Sequence, residues 1–121
     1  RRNPINVVVD TKTMLQSLER VSVVISEKLK SPVRCLFEDN KVTMSAKTAS
    51  GDAKDVCRIA GDGQGLEIGF NNRYLMDALR YAPADTVKME LNTGISPAII
   101  VPVEGEENFL YMVLPVRLKA N

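Results

Sequence analysis

The side chains that most often carry out covalent or acid–base chemistry are scarce in this sequence. It contains no histidine, and its two cysteines, Cys35 and Cys57, lie in unrelated segments without a CxxC spacing. Neither clustered metal ligands, nor a glycine-rich phosphate loop, nor a G-x-S-x-G nucleophile motif occurs. The acids Glu106 and Glu107 fall in a predicted turn, where carboxylates are usually solvated. We therefore expect no catalytic residue, no metal and no cofactor, and two buried thiols in a cytosolic protein.

The length and composition are those of one soluble domain. Domains usually have about 100–150 residues, and this chain has 121, of which 45% are hydrophobic and 26% charged. No apolar run is long enough to predict a membrane span, and the opening Arg1-Arg2-Asn3-Pro4 is not followed by the apolar stretch of a signal peptide. We expect a cytoplasmic protein. Because an initiator Met is absent, we also expect the tail end of a longer chain.

The hydrophobic pattern predicts one unit of secondary structure that occurs twice. A strand at 6–10 precedes a helix from Thr11 to about Ser26, and alternating segments at 33–37 and 42–46 are followed by a third strand at 53–59. Either Asp10 or Thr11 can cap the helix.

The second unit repeats this order. A strand at 66–70 leads into a helix that ends near Tyr81, before Pro83, and strands follow at 86–91, 98–101 and 109–113. Aligning the units places Asp10 on Asn71, which with Asn72 is the candidate cap of the second helix. Hairpin-length connections favour an α+β fold, in which antiparallel sheets carry two helices on one face.

Two segments, together with the repeat, resemble a known family. Residues 68–79, IGFNNRYLMDAL, resemble the second-helix segment in the third domain of the bacterial DNA polymerase III β subunit, the sliding clamp. Residues 111–118, YMVLPVRL, resemble the C-terminal motif of that family, in which a proline lies between apolar residues and an arginine follows. The resemblance extends over essentially the whole chain, from Ile5 to Leu118.

The resemblance implies a processivity factor of DNA replication, an accessory and non-catalytic subunit of the DNA polymerase III holoenzyme. In that family three such domains form one chain, and two chains close into a homodimeric ring around duplex DNA. Residues 1–121 would be the third domain, without the first two. The expected partners are duplex DNA, contacted non-specifically at its phosphates, and the replicative polymerase, clamp loader and repair polymerases, which dock short peptides. A bacterial, nucleoid-associated protein without membrane contact is implied.

The charge distribution agrees with helices that line the hole of a ring. The predicted helical segments, 11–30 and 72–82, hold six basic and three acidic residues, whereas the rest of the chain holds 10 basic and 12 acidic residues. Basic helices attract phosphates without reading sequence, although each cation could equally be an ordinary solvated side chain. The candidate DNA-facing residues are Lys12, Arg20, Arg73 and Arg80.

The resemblance also implies a pocket that accepts leucine and aromatic side chains of partner peptides. Met112, Leu114 and Val116 would supply apolar surface, and Asn71 and Tyr74 would hydrogen-bond the peptide backbone. The residues alone favour another interpretation, in which Met112 and Leu114 are core and Asn71 is only a helix cap. The pocket positions implied are Leu29, Asn71, Tyr74, Ile95, Pro97, Met112, Leu114, Pro115, Val116, Arg117 and Leu118.

A second implied surface joins the subunits of the ring. Val23 and Val24, near the predicted end of the first helix, would form an apolar contact, and Asp52 and Asp55 would pair with cations across the interface. Two other functions remain open at this point. The chain could be a structural or oligomerisation domain, or an α+β domain that binds a small ligand.

Overall fold

Two strand–helix–three-strand units follow one another along the chain, as the sequence predicts. The computed structural model describes residues 3–25, 31–103 and 109–118. The first unit consists of β1 (Ile5–Asp10), α1 (Thr11–Ser22), β2 (Val33–Glu38), β3 (Lys41–Thr48) and β4 (Gly51–Arg58). The second consists of β5 (Leu66–Phe70), α2 (Asn72–Tyr81), β6 (Thr86–Leu91), β7 (Ala98–Pro102) and β8 (Tyr111–Val113), and the short β9 (Pro115–Val116) follows it.

The two units exchange their first strands. One antiparallel sheet has the order β1-β6-β7-β8, so β1 of the first unit pairs with β6 of the second. The other has the order β4-β3-β2-β5-β9, so β5 of the second unit pairs with β2 of the first. Each sheet therefore contains strands of both units, and the apolar face of each unit is buried by the other. The α+β fold with antiparallel sheets and two helices is confirmed.

The alternation read from the sequence correctly identifies the core. Val33, Cys35 and Phe37 of β2 are buried, as are the inward residues of β3 and β6. The helical stripes are also buried, with Met14, Leu18 and Val21 on α1 and Leu75, Ala78 and Leu79 on α2. The helices run antiparallel, because Ser22 of α1 approaches Met76 of α2 while Glu19 approaches Arg80 further along.

Both helices begin with the same capping arrangement. The Asp10 carboxylate accepts a hydrogen bond from the Thr13 amide at 2.9 Å, and the Asn71 side-chain oxygen accepts one from the Tyr74 amide at 3.1 Å. Such a bond satisfies an amide that has no partner within the helix. The caps are thus Asp10 and Asn71, at matching positions of the two units.

Helix α1 ends earlier than predicted. The last helical residue is Ser22, and the run Val23, Val24 and Ile25 lies beyond it. These β-branched side chains lose rotamer freedom in a helix. The Ile25 amide instead donates to the Ser22 carbonyl at 2.9 Å, and the Thr48 hydroxyl donates to the Val24 carbonyl at 2.8 Å.

In each unit, the last strand observed has different bounds from the last strand predicted. Ile59 lies outside β4, because its amide donates to the Asn40 carbonyl at 3.0 Å in the preceding turn. Phe109 and Leu110 precede β8, which begins at Tyr111. The sequence did not predict β9, because a strand of two residues that begins with proline has no periodicity to detect.

The Asp10 cap leads to a prediction about pH. Hydrogen bonds from the Thr13 side chain and backbone lower the pKa of Asp10, against a small opposing effect of burial. The carboxylate therefore stabilises the fold fully above about pH 4, and this contribution is lost as the pH falls through the lower, folded-state pKa. We expect Asp10→Ala to reduce the free energy of unfolding at pH 7 by about 1 kcal/mol, and by less at pH 3.

Urea unfolding followed by circular dichroism at both pH values measures this difference. Asp10→Asn is the matched control, because its amide oxygen caps equally well and does not titrate in this range. If the Asp10→Ala deficit were as large at pH 3 as at pH 7, the carboxylate would not be the stabilising group.

Candidate functional site

Five of the predicted pocket residues are large apolar side chains that are exposed to solvent, not buried in the core. The exposed fractions are 59% for Tyr74, 67% for Ile95, 54% for Met112, 64% for Leu114 and 36% for Val116. An interior position, the ordinary expectation for apolar strand residues, is therefore excluded for Met112 and Leu114. Contiguous exposed apolar side chains commonly mark a surface that binds a partner.

Residues 111–116 are held in place by strand pairing, first with β7 and then with β5. Val113 lies opposite Ala98 of β7, which turns the side chain of Met112 to the face opposite the core. Beyond Leu114, β9 pairs antiparallel with β5, with Val116 opposite Gly69. Leu114 thus lies where the chain passes from one sheet to the other.

Helix α2 begins beside this crossing. Pro115 lies opposite Phe70, and Asn71 follows immediately as the cap of α2, so Tyr74 lies in the first turn of the helix, close to β9. The Asn71 oxygen is occupied by its bond to the Tyr74 amide. The amide nitrogen of Asn71 can donate to a peptide carbonyl.

The turn between β6 and β7 presents Ile95. The hydroxyls of Thr93 and Ser96 are 2.6 Å apart, and the Ile95 amide donates to the Thr93 hydroxyl at 3.2 Å. These bonds within the turn fix its shape and leave Ile95 at its tip. Pro97, partly buried, ends the turn directly before β7.

Asn3, which sequence reasoning did not identify, supports one side of the site. Its side-chain nitrogen donates to the carbonyl oxygens of Glu90 at 3.0 Å and Pro97 at 3.4 Å. These bonds join the start of the chain to the turn that carries Ile95. They connect residues far apart in sequence, and no local motif predicts such contacts.

Strand pairing places the predicted pocket positions of the last segment beside the start of β7 and next to the cap of α2. Arg117 is exposed and Leu118 half-buried, and both follow β9. Leu29 lies outside the described residues. The remaining positions lie in the last segment, at the start of α2 or in the turn before β7, and they are Asn71, Tyr74, Ile95, Pro97, Met112, Leu114, Pro115 and Val116.

The candidate DNA-facing cations are exposed, and ion pairs within the chain involve Arg20 and Arg80. Arg20 of α1 contacts Asp55 of β4 at 2.8 Å, and Arg80 of α2 lies 3.5 Å from both Glu19 and Asp77. Lys12 and Arg73 are also exposed. Exposed pairs of this kind contribute only about 0–1 kcal/mol each, so phosphates could replace the carboxylates at small cost.

Asp55, a candidate interface residue, forms contacts within the chain. The hydroxyl of Ser17, and then the guanidinium of Arg20, lower the pKa of the Asp55 carboxyl. The Asp55 side chain therefore joins β4 to α1 within one chain. Asp52, exposed and opposite Lys47 on β3, is the more accessible of the two candidate interface acids.

Val23 and Val24 lie just after α1, next to the β3–β4 turn. Val23 is 78% exposed, whereas Val24 is half-buried, and its carbonyl is held by Thr48. Among the described strands, β4 has β3 as its only neighbour, so its other edge is open. An apolar residue beside an open strand edge is suited to contact with another domain.

The cysteine side chains are buried. Burial raises the pKa of Cys35 to about 12, and burial followed by the nearby carboxylates of Asp10 and Asp55 raises the pKa of Cys57. Thiols with raised pKa values are poor nucleophiles. Within the described ranges, no cluster of three potential metal ligands occurs, and no helix is long and apolar enough to cross a membrane.

Comparison with known proteins places this geometry in a family. A family described as "DNA polymerase III beta subunit, C-terminal domain" matches residues 1–117. A beta sliding clamp of Synechocystis sp. is 33% identical over 120 residues, which cover 93% of this chain and 29% of that protein. One of Synechococcus elongatus is 29% identical over 118 residues, which cover 95% of this chain and 31% of that protein.

Solved structures show the same likeness. A DNA polymerase sliding clamp from Pseudomonas aeruginosa matches with a TM-score of 0.90 and 25% identity, over 98% of this chain and 32% of that one. The DNA polymerase III beta subunit of Thermotoga maritima matches with a TM-score of 0.86 and 30% identity, over 94% of this chain and 31% of that one. The chain spans about three tenths of the length of these relatives. It belongs to the family of the C-terminal domain of the DNA polymerase III beta subunit.

Proposed function

We propose that this chain is the third domain of a sliding clamp, that it docks partner peptides, and that it performs no chemistry of its own. The observation that carries the proposal is the exposed apolar surface formed by Tyr74, Ile95, Met112, Leu114 and Val116. These side chains would accept leucine and aromatic residues of a peptide, while Asn71 and Arg117 would supply polar contacts. The flexible side chain of Met112 suits a surface that serves several partners.

The peptides would come from the replicative polymerase, the clamp loader and repair polymerases. Two preceding domains in the same chain, and a second copy of that chain, would complete a cytoplasmic ring around duplex DNA. The open edge of β4 supports this arrangement, since a strand edge offers a surface along which a neighbouring domain can align. The relatives, about three times as long, have room for two such additional domains.

Peptide binding is the direct test of the docking surface. We expect the 121-residue chain to bind a fluorescein-labelled peptide rich in glutamine and leucine, measured by fluorescence anisotropy. Leu114→Ala removes an apolar contact worth about 1.5–3 kcal/mol, so we expect the affinity to fall at least tenfold. Tyr74→Ala should weaken binding similarly.

Val56→Ala is the control, because Val56 is 49% exposed on β4, in a different part of the molecule. Its affinity for the peptide should equal that of the unmodified chain. Equal affinities for Leu114→Ala and the control would rule out the apolar surface as the docking site.

The second prediction concerns the helices and DNA in the full-length product. Replacing Arg20, Arg73 and Arg80 with glutamine removes three exposed cations from α1 and α2. Each lost phosphate contact should reduce the slope of log affinity against log salt by about 0.9. We therefore expect weaker retention on circular duplex DNA at low salt and a smaller salt dependence.

A matched control removes the same charge from the opposite surface. Lys41, Lys54 and Arg58 lie on the face of β3 and β4 that points away from the core, since their neighbours Val42 and Cys57 are buried. If this triple variant lost as much retention as the helix variant, net charge would be responsible, and not a DNA-facing surface.

A third prediction concerns the closure of the ring. Val23→Ala removes part of an exposed apolar side chain beside the open edge of β4, at a cost of about 1 kcal/mol if it is buried in the dimer. Because a ring of two chains contains two such junctions, the dimer loses about 2 kcal/mol, and we expect the dimer of the full-length product to dissociate at roughly thirtyfold higher concentration. Val24→Ala should act in the same direction, although Val24 also packs near Gly51.

Analytical ultracentrifugation over a dilution series measures this effect. Val103→Ala, an exposed valine at the end of β7, is the control and should leave the dimer unchanged. A dimer as stable in Val23→Ala as in the control would place the subunit contact elsewhere.

A further inference from the structure

Leu118 lies against β5 at a position where only a glycine leaves room for it. A Cβ atom on Gly69 would lie 2.5 Å from Leu118 Cδ2, 3.0 Å from its Cγ and 2.7 Å from the carbonyl oxygen of Val116. Gly69 is buried, and it is not among the glycines with positive φ, so its backbone conformation is open to any residue. The requirement for glycine here is steric.

Strand pairing alone holds the end of the chain weakly. Strand β9 has only two residues, Pro115 and Val116, and proline has no amide hydrogen to donate to β5. The contact of Leu118 with Gly69 is therefore a substantial part of what fixes this segment. The half-burial of Leu118 contrasts with the exposure of Leu114 and Val116, which precede it.

The turn that carries Ile95 approaches the same strand equally closely. A Cβ atom on Gly94 would lie 2.8 Å from the carbonyl oxygen of Glu67, two residues before Gly69 on β5. Gly94 also lacks a positive φ. The segment that follows Leu114 and the turn that carries Ile95 therefore both pack against the backbone of β5. A side chain at Gly69 or Gly94 would prevent this close approach.

We propose that Gly69 and Leu118 are positioning residues for the peptide-docking surface. The Leu118 side chain, packed on the bare backbone of Gly69, holds β9 in place so that Leu114 and Val116 face the partner peptide. Leu118 thus supports the docking surface by packing against Gly69, and it does not itself contact the peptide. This inference rests on the proposed docking function, but the packing on which it depends can be measured without any peptide.

A double-mutant cycle tests the proposal. Gly69→Ala should displace the end of the chain and weaken binding of the labelled glutamine- and leucine-rich peptide about tenfold, and Leu118→Ala should weaken it about threefold. In the double variant the added Cβ at position 69 still meets the carbonyl oxygen of Val116, at 2.7 Å, so the segment is already displaced and loss of the Leu118 side chain adds little. We therefore expect its affinity to be close to that of Gly69→Ala alone, not about thirtyfold below the unmodified chain. Two effects that simply multiply would overturn the proposal.

Amide hydrogen exchange gives the peptide-independent measurement. In the unmodified chain we expect slow exchange at Val116, which is paired opposite Gly69, and faster exchange there in Gly69→Ala and Leu118→Ala, while β3 in the core remains as protected as before. Unchanged exchange at Val116 in both variants overturns the proposed packing of Leu118, even if the peptide binds. If the unmodified chain binds no peptide, the proposed function and the positioning role both fail, and exchange alone decides whether the packing exists.

Discussion

The first strand of each unit pairs with a strand of the other unit, and the position of every candidate surface depends on this exchange. Because β5 lies beside β2 and not beside β6, its far edge is left for β9. The same exchange places β1 against β6, where the adjoining Asn3 reaches the carbonyls of Glu90 and Pro97. Neither unit could hold these segments alone, because each would leave its apolar face in water.

The exposed apolar surface forms where the two sheets meet. The chain leaves the four-stranded sheet after Val113 and enters the five-stranded sheet at Pro115, and Leu114 lies between them. A residue at such a crossing belongs to the inner face of neither sheet. The exposure of Leu114 therefore follows from topology, whereas Met112 is exposed because its neighbours Tyr111 and Val113 take the inward positions of β8.

The sequence predicts the fold far better than the surroundings of the charged residues. Alternation and helical spacing identify the core because burial imposes a strict period on residues such as Phe37, Met89 and Leu79. The ion pair between Asp55 and Arg20 could not be predicted from the sequence, since it depends on how close α1 lies to β4. Contacts of this kind join residues distant in sequence and leave no periodic signal.

The proposed docking surface follows from the resemblance, whereas the residues proposed to support it have no sequence signal. Tyr74 and the segment 111–118 carry recognisable motifs, but Asn3, Gly69 and Gly94 act through close approaches that only the folded backbone defines. A glycine in a strand is also ambiguous in a sequence, because it can mark a bulge, a bend or a near neighbour. At Gly69 the near neighbours are Leu118 and the carbonyl oxygen of Val116.

The most direct test of the central claim is a map of the peptide-binding surface by nuclear magnetic resonance. The 121-residue chain, labelled with nitrogen-15, would be titrated with the unlabelled glutamine- and leucine-rich peptide. The account predicts amide shifts confined to residues 71–74, 93–97 and 111–118, around the exposed Leu114. Shifts centred instead on α1 and β4, or none at saturating peptide, would contradict it.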